Sequence, residues 1–290
     1  MGWANQGRYL KPMLKIDSHQ HFWIYHPVKD AWISSDMQVI RRDFLPDDVL
    51  PLLQENKIAG CIAVQADQSE TETDFLLGLA NMNSFIKGVV GWVDLSADNI
   101  EERLQYYSSS KILKGFRHIL QAEPDVRFML NKKFMRGISL LHLYNFTYDV
   151  LINTTHLPYA KELVATFPDQ RFVIDHIAKP FIKDRHIDEW EQGIRAIAAH
   201  QNVYCKVSGM VTEADWSNWT VDDFIPYLDV VFNAFGPNRV MFGSDWPVCN
   251  LVGGYKKALD AVSSYVSKLK IEEQALFWAG NAIAFYQLEA

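Results

Sequence analysis

Four residues of the 290 stand where their side chains could work together. His19 and His21 lie two apart at the end of the first strand-like run, residues 14–19, so both point to one side of it. His176 ends a later run, residues 171–176, and Asp245 follows another, residues 238–244, ahead of Trp246-Pro247. Imidazoles and a carboxylate are the ligand types of one catalytic divalent ion, Zn2+ or Mn2+, with a position left open for water. Without a metal the same groups can act as electrophile and general base. A His-x-His pair alone has a structural reading too, in which one histidine hydrogen-bonds within the core. The third histidine and the aspartate, each at a strand end, make the set harder to dismiss. Arg117 and His118 end the run 112–117. The Arg117 fork of N–H donors could hold substrate hydroxyls or a nascent carboxylate, or form a salt bridge inside the fold. Alternation turns only one of Arg117 and His118 squarely toward a common mouth.

Side chains so far apart in sequence need elements that converge. Eight strand-like runs cover residues 14–19, 58–64, 86–93, 112–117, 146–152, 171–176, 202–208 and 238–244. Several are almost continuously apolar, as in Phe172-Val173-Ile174 and Val240-Met241-Phe242, which suits parallel strands buried on both faces. Between them run amphipathic stripes at helical spacing: Phe134, Ile138 and Leu141; Trp190, Ile194 and Ile197; Phe224, Leu228, Val231 and Phe235; Leu259, Val262, Val266 and Leu269. Helix starts are expected at Pro46-Asp47-Asp48 and Asp222-Asp223, where acidic groups suit the positive helix end.

Eight such units are what a closed (β/α)8 barrel requires, and the C-terminal strand ends of a barrel meet at one mouth. An open doubly wound sheet could use eight as well, but no Gly-rich turn follows the first strand, which weakens its dinucleotide-binding form. No linker rich in Pro, Gly or Ser interrupts the pattern, so one α/β domain is expected. Residues 20–45 form a long irregular stretch holding Phe22, Trp23, Tyr25, His26 and Trp32, placed to lean over the mouth. Residues 210–221 and 246–254 carry Trp216, Trp219 and Trp246. These rings could stack on the apolar face of a sugar or simply pack. His142, His186 and His200 fall in helical or helix-flanking segments and are read as non-catalytic.

Composition narrows the partners. Half the chain is hydrophobic (49%), enough for a large core, and 28 basic against 35 acidic residues give a net charge of −7. No Lys/Arg-rich run offers a phosphate-backbone footprint, so nucleic acid is not expected. Neither a secretory signal in residues 1–13 nor an apolar stretch of about 20 residues is visible. The expected location is the cytoplasm, with no membrane partner. Cys61, Cys205 and Cys249 lack Cys-x-x-Cys spacing and read as buried reduced thiols. Oligomeric state has no signature, and a homo-oligomer stays open.

The chain resembles the amidohydrolase superfamily, and more closely its sugar-lactonase branch, the L-fuconolactonase and L-rhamnonolactonase type. The stretches that carry the likeness are Ile16-Asp17-Ser18-His19-Gln20-His21-Phe22-Trp23, Lys114-Gly115-Phe116-Arg117-His118, Phe172-Val173-Ile174-Asp175-His176-Ile177-Ala178-Lys179-Pro180 and Phe242-Gly243-Ser244-Asp245-Trp246-Pro247, with Gly280-Asn281-Ala282 through Phe285-Tyr286 at the end. The resemblance implies a distorted (β/α)8 TIM barrel over residues 14–290 behind a short N-terminal extension, residues 1–13. It implies hydrolysis of an aldonolactone to its sugar acid. His19, His21, His176 and Asp245 would be the metal ligands if a metal is bound. Asp245, acting on water, with His176 and Arg117 would be catalytic. Trp23, His118, His156, Lys179 and Trp246 would contact substrate. No histidine sits squarely on strand five, and no lysine or glutamate ends strand four, so a two-metal centre is not expected. Activity without metal stays open. The lactone carbonyl would sit against the three histidines, directly or through the ion. Two rivals remain: a metal-dependent non-oxidative decarboxylase on the same barrel, and a catalytically silent barrel that binds a sugar acid.

Overall fold

The computed structural model describes residues 13–289. Eight parallel strands pair in chain order: β1 (Ile16–Gln20), β2 (Gly60–Val64), β3 (Ile86–Gly91), β4 (Leu113–His118), β5 (Thr147–Val150), β6 (Phe172–Ile174), β7 (Val203–Val207) and β8 (Val240–Phe242). The ring closes just beyond β8. Asp245 N–H donates to the His19 carbonyl (2.9 Å), and His21 N–H donates to the Trp246 carbonyl (2.7 Å). The expected barrel is therefore the observed one, and its seam runs through three of the four candidate residues, His19, His21 and Asp245. The proposed extension at residues 1–13 lies, apart from Met13, outside the described residues.

Helices return the chain outside the ring: α1 (Pro46–Glu55), α2 (Glu70–Met82), α3 (Ile100–Tyr107), α4 (Lys132–Leu141), α5 (Leu157–Thr166), α6 (Asp188–Ala198), the single turn α7 (Met210–Glu213), α8 (Ile225–Phe235) and α9 (Tyr255–Val266). The stripes face inward as expected: Phe134, Ile138 and Leu141 on α4 and Trp190, Ile194 and Ile197 on α6 are buried. Leu269 falls past the end of α9 and is only partly buried. The acidic pair at 222–223 opens a 3-10 turn, Val221–Phe224, ahead of α8, with Asp223 accepting from Thr220 N–H.

Strand alternation divides the residues between two environments. Cys61, Ala63, Phe172, Ile174, Val240 and Phe242 pack outward against the helices. Ile62, Val64, Val90, Val173 and Met241 form a separate apolar cluster with Ala282, Phe285 and Tyr286, from the short C-terminal helix Asn281–Tyr286. Asn281 anchors that helix by donating to the carbonyls of Pro237 and Val240 (2.8 and 2.7 Å). Cys61, Cys205 and Cys249 are all buried and unpaired. Among the described residues no helix is long and apolar enough to cross a membrane.

The observed strands are shorter than the apolar runs that announce them, and the difference matters at the mouth. β6 ends at Ile174, and His176 stands in a left-handed segment with Ile177, Ala178 and Lys179, at φ 53, 48, 59 and 47°. Asp245 is three residues past β8, at φ 58°. Neither residue closes its strand. Left-handed backbone is costly for residues other than glycine and persists only where surroundings fix it.

Gly137 shows how tightly α4 is seated: a Cβ there would fall 2.2 Å from the Leu95 carbonyl oxygen. Gly137→Ala should gain about 1 kcal/mol of helix propensity. Overpacking should cost about 1–3 kcal/mol. The expected outcome is a lower urea midpoint; a midpoint unchanged or raised would mean that α4 moves off Leu95 at no cost.

Candidate active site

Asp17 ties the two halves of the site together. Its buried carboxylate accepts from His19 N–H (3.1 Å), Ser244 N–H (2.9 Å) and the Tyr255 hydroxyl (2.9 Å). Ser18 adds a hydroxyl donated to the Phe242 carbonyl (2.6 Å). On this framework the ring nitrogens converge. His19 Nε2 and His21 Nε2 are 3.2 Å apart. Asp245 Oδ1 lies 3.4 Å from His21 Nε2, and 3.9 Å from the Nε2 of both His19 and His176. Gly209, at φ 61°, lets the β7 exit pass beside His176; a Cβ there would fall 2.6 Å from the ring Nδ1.

The far nitrogens are all engaged. His21 Nδ1–H donates to the Val64 carbonyl (2.7 Å), and His176 Nδ1 is hydrogen-bonded to the Ser208 hydroxyl (2.9 Å). His19 Nδ1 is 3.3 Å from Asp175 Oδ1 and 3.2 Å from the Lys206 ammonium. Lys206 donates to Asp149 and stands 3.0 Å from Asp175 Oδ1, so an ammonium and a carboxylate both face His19 Nδ1. His21 turns an Nε2 lone pair to the centre, the arrangement that outer partners impose on metal-binding histidines. Tetrahedral donors about 2.0–2.1 Å from a zinc ion stand roughly 3.3 Å from one another. The separations among His19, His21 and Asp245, 3.2, 3.4 and 3.9 Å, fit a single ion, and His176 stands 3.9 Å from Asp245 at its edge.

Electrostatics agree with that geometry. Burial lowers His19 well below the ordinary histidine value and brings His176 down to about 4, despite the nearby carboxylates. Burial alone would raise Asp245, but His176, His21 and His19 outweigh it and hold the carboxyl well below its usual range. At neutral pH His19 and His176 are neutral beside an ionised Asp245.

Beneath it lies a buried charged layer. Arg117 Nη1 donates to Asp175 (3.1 Å) and reaches His19 Nε2 (3.3 Å), while Nη2 donates to the Gln65 carbonyl. The Tyr286 hydroxyl donates to Asp149 (2.8 Å). Burial would raise Asp175, but Lys206, His19 and Arg117 hold it well below the usual carboxylate range; in Asp149 burial prevails and the pKa rises.

The structure separates the other candidates. Arg117 turns to the histidines. His118 turns away, stacked on Phe128 at 5.1 Å, accepting from the Trp92 indole (3.3 Å) and bonded to Glu123 (2.6 Å). Trp23 is buried with its indole N–H on the Arg42 carbonyl and its ring 6.4 Å from His21. Trp246 is buried against Phe22 and Phe44, so its indole is committed to packing and only its carbonyl reaches the seam. His156 Nδ1–H donates to Asn153 (2.7 Å), and its buried Nε2 has no partner among the described residues. Lys179 stands at the rim, 3.8 Å from Glu213. Sequence reasoning passed over Asp17, Asp149, Asp175, Lys206 and Glu213. The available signal was a charged residue inside a buried apolar strand, as in Tyr148-Asp149-Val150 and Cys205-Lys206-Val207, since such a charge must be paired.

The chain is similar to several known proteins. The amidohydrolase family model matches residues 16–288. An L-fucono-1,5-lactonase of Burkholderia multivorans is 40% identical over 286 residues, covering 95% of this chain and 96% of its own. An L-fucono-1,5-lactonase of Burkholderia ambifaria is 32% identical over 282 residues, with 95% and 96% covered. The crystal structure of a Burkholderia multivorans amidohydrolase with bound zinc superposes with a TM-score of 0.91 at 40% identity, over 95% of this chain and 100% of that one.

Lys206 is fully buried and bonded to two carboxylates. Lys206→Met should therefore cost about 3–5 kcal/mol, the penalty of leaving buried charge without its partner. Urea unfolding measures it; a loss under about 1 kcal/mol would show that the carboxylates re-pair or take up protons without it.

Proposed function

The chain belongs to the amidohydrolase family, and from that premise we propose that it hydrolyses a sugar lactone to the corresponding sugar acid at the His19/His21/His176/Asp245 centre. The observation that carries this reading is an ionised, buried carboxylate set among three imidazoles at a barrel mouth. It occurs in a chain 40% identical over 95% of its length to a lactonase.

Asp245 is the general base, taking the proton of the attacking water and passing it to the departing ring oxygen. Its depressed pKa keeps it ready as an acceptor at every ordinary pH. The Nε2 atoms of His19 and His21, 3.2 Å apart beside the Asp245 carboxylate, suit a cation at the centre. A zinc ion held by His19, His21, His176 and Asp245 would supply Lewis acidity to the lactone carbonyl and to water. Arg117 stands beside His19 with a guanidinium N–H that can stabilise the oxyanion. Its second contact, on Asp175, fixes the guanidinium plane. Of Trp23, His118, His156, Lys179 and Trp246, His118 turns away and the Trp23 and Trp246 indoles are committed elsewhere, which leaves His156 and Lys179 as the proposed substrate-side residues. Among them Lys179 is the one with a charged head group at the rim.

Proton release measured with a pH indicator over five- and six-membered aldonolactones, in protein supplied with Zn2+ or Mn2+, tests the reading. Turnover of one or more of them is expected. Silence on all, with carbon dioxide released from an aromatic acid, would transfer the site to decarboxylation. Tight binding without turnover would make it a binding barrel. Asp245→Asn should lower kcat by roughly 10²–10⁴-fold while substrate still binds; a variant that keeps more than about a tenth of the rate has lost no general base.

The pH profile gives an independent check. His176 is neutral in its working form, and its pKa is about 4. Descending pH protonates it only near that value, so kcat/KM should stay level from pH 7 to about 5 and fall with a midpoint near 4. A fall centred near 6.5 would mean that a histidine with an ordinary pKa controls the reaction.

A further inference from the structure

One ion pair at the rim is built unlike those beneath it. Lys179 Nζ and Glu213 Oε1 are 3.8 Å apart, beyond hydrogen-bond length, and each side chain is about a quarter exposed. Among the described residues neither head group makes a hydrogen bond, whereas Lys206, Arg117 and Asp175 below are closely bonded. An ammonium with three donors and a carboxylate with about four acceptor positions thus stand side by side, largely unspent.

Their place in the fold directs them at the centre. Lys179 is the last of the four left-handed residues that begin with His176. Glu213 ends the turn α7, whose preceding residue, Gly209, is packed on the His176 ring. The Lys183 N–H donates to the Glu213 carbonyl (3.0 Å), fastening the loop after β6 to α7. Burial raises the Glu213 carboxyl, Lys179 opposes the rise and the Asp245 charge adds to it, so Glu213 lies within the field of the proposed base.

We propose that Lys179 and Glu213 form a hydroxyl clamp that selects polyhydroxylated lactones, Lys179 donating to one substrate oxygen and Glu213 accepting from a neighbouring hydroxyl. The inference rests on the lactonase reading and adds to it the pair that reads the sugar. Charge-assisted bonds to hydroxyls are stronger than neutral ones. A pair built to bond a hydroxyl discriminates against the analogue that lacks it, because the charged group is then left without a partner. An exposed ion pair with no other duty would contribute little to anything.

The test uses the fastest aldonolactone of the panel and its monodeoxy analogues with wild type, Glu213→Gln and Lys179→Asn. Asparagine tolerates the left-handed backbone at 179, so this variant carries the test if Glu213→Gln fails to fold. Each variant should raise KM tenfold or more with kcat within about threefold, the sign of binding lost equally from ground and transition state. With one monodeoxy lactone, wild type and Glu213→Gln should have the same KM. An unchanged KM on the parent lactone overturns the clamp alone, as does an equal penalty on every monodeoxy analogue or a fall in kcat that matches the fall in kcat/KM. Wild-type protein inert toward every lactone overturns the lactonase reading and the clamp with it.

Discussion

The structure depends on a short seam in which the end of the first strand meets the chain just past the last. Two backbone hydrogen bonds, Asp245 to His19 and His21 to Trp246, close the barrel there. The Asp17 carboxylate and the Ser18 hydroxyl add side-chain bonds across it, spanning 227 and 224 residues of sequence. Because the seam residues alternate with the metal-type donors, closing the ring and building the site are one event. The imidazoles cannot meet Asp245 unless the barrel is shut, and a shut barrel leaves them little freedom to do otherwise.

A second constraint comes from the barrel interior, which is apolar below and charged above. The floor of Ile62, Val64, Val90, Val173 and Met241 excludes water from one side of Lys206, Asp149, Asp175 and Arg117. In that dry layer a carboxylate costs several kcal/mol unless a cation is bonded to it, and here the cations and anions are bonded in turn. The layer's upper surface is His19, whose Nδ1 stands 3.3 Å from the acid beneath it. Strain is concentrated in the same place: His176, Lys179 and Asp245 all have left-handed backbones. Packing from Gly209 and bonds to Ser208 and His19 hold them there.

Much of this was legible in the sequence, and the limits have physical causes. All eight strands and the helical stripes could be read, because burial on both faces leaves apolar runs and burial on one leaves a 3.6-residue period. His19, His21, His176 and Asp245 were visible as ionisable groups at run ends. Their backbone was not: continuity of apolar residues through 171–174 says nothing about where the chain leaves the sheet, so His176 read as a strand end rather than a left-handed turn. Asp149 and Lys206 were hidden because a lone charge in a strand gains meaning only from partners on other strands. Glu213 sat in a segment noticed for its tryptophans. Trp246 drew attention by its ring, whereas the carbonyl of the same residue closes the barrel.

The helix Asn281–Tyr286 has a consequence for how the protein comes into being. Its Tyr286 hydroxyl donates to Asp149 beside Lys206, so this helix packs against the strands that carry the charged layer. During synthesis β1 can pair with β2 early, but its other edge has no partner until the residues after β8 have been made. A nascent chain halted before residue 281 would hold every proposed metal ligand and still lack the Tyr286 hydroxyl that bonds Asp149 in the layer beneath them, so the centre is guarded against premature assembly by the order in which the ribosome delivers it.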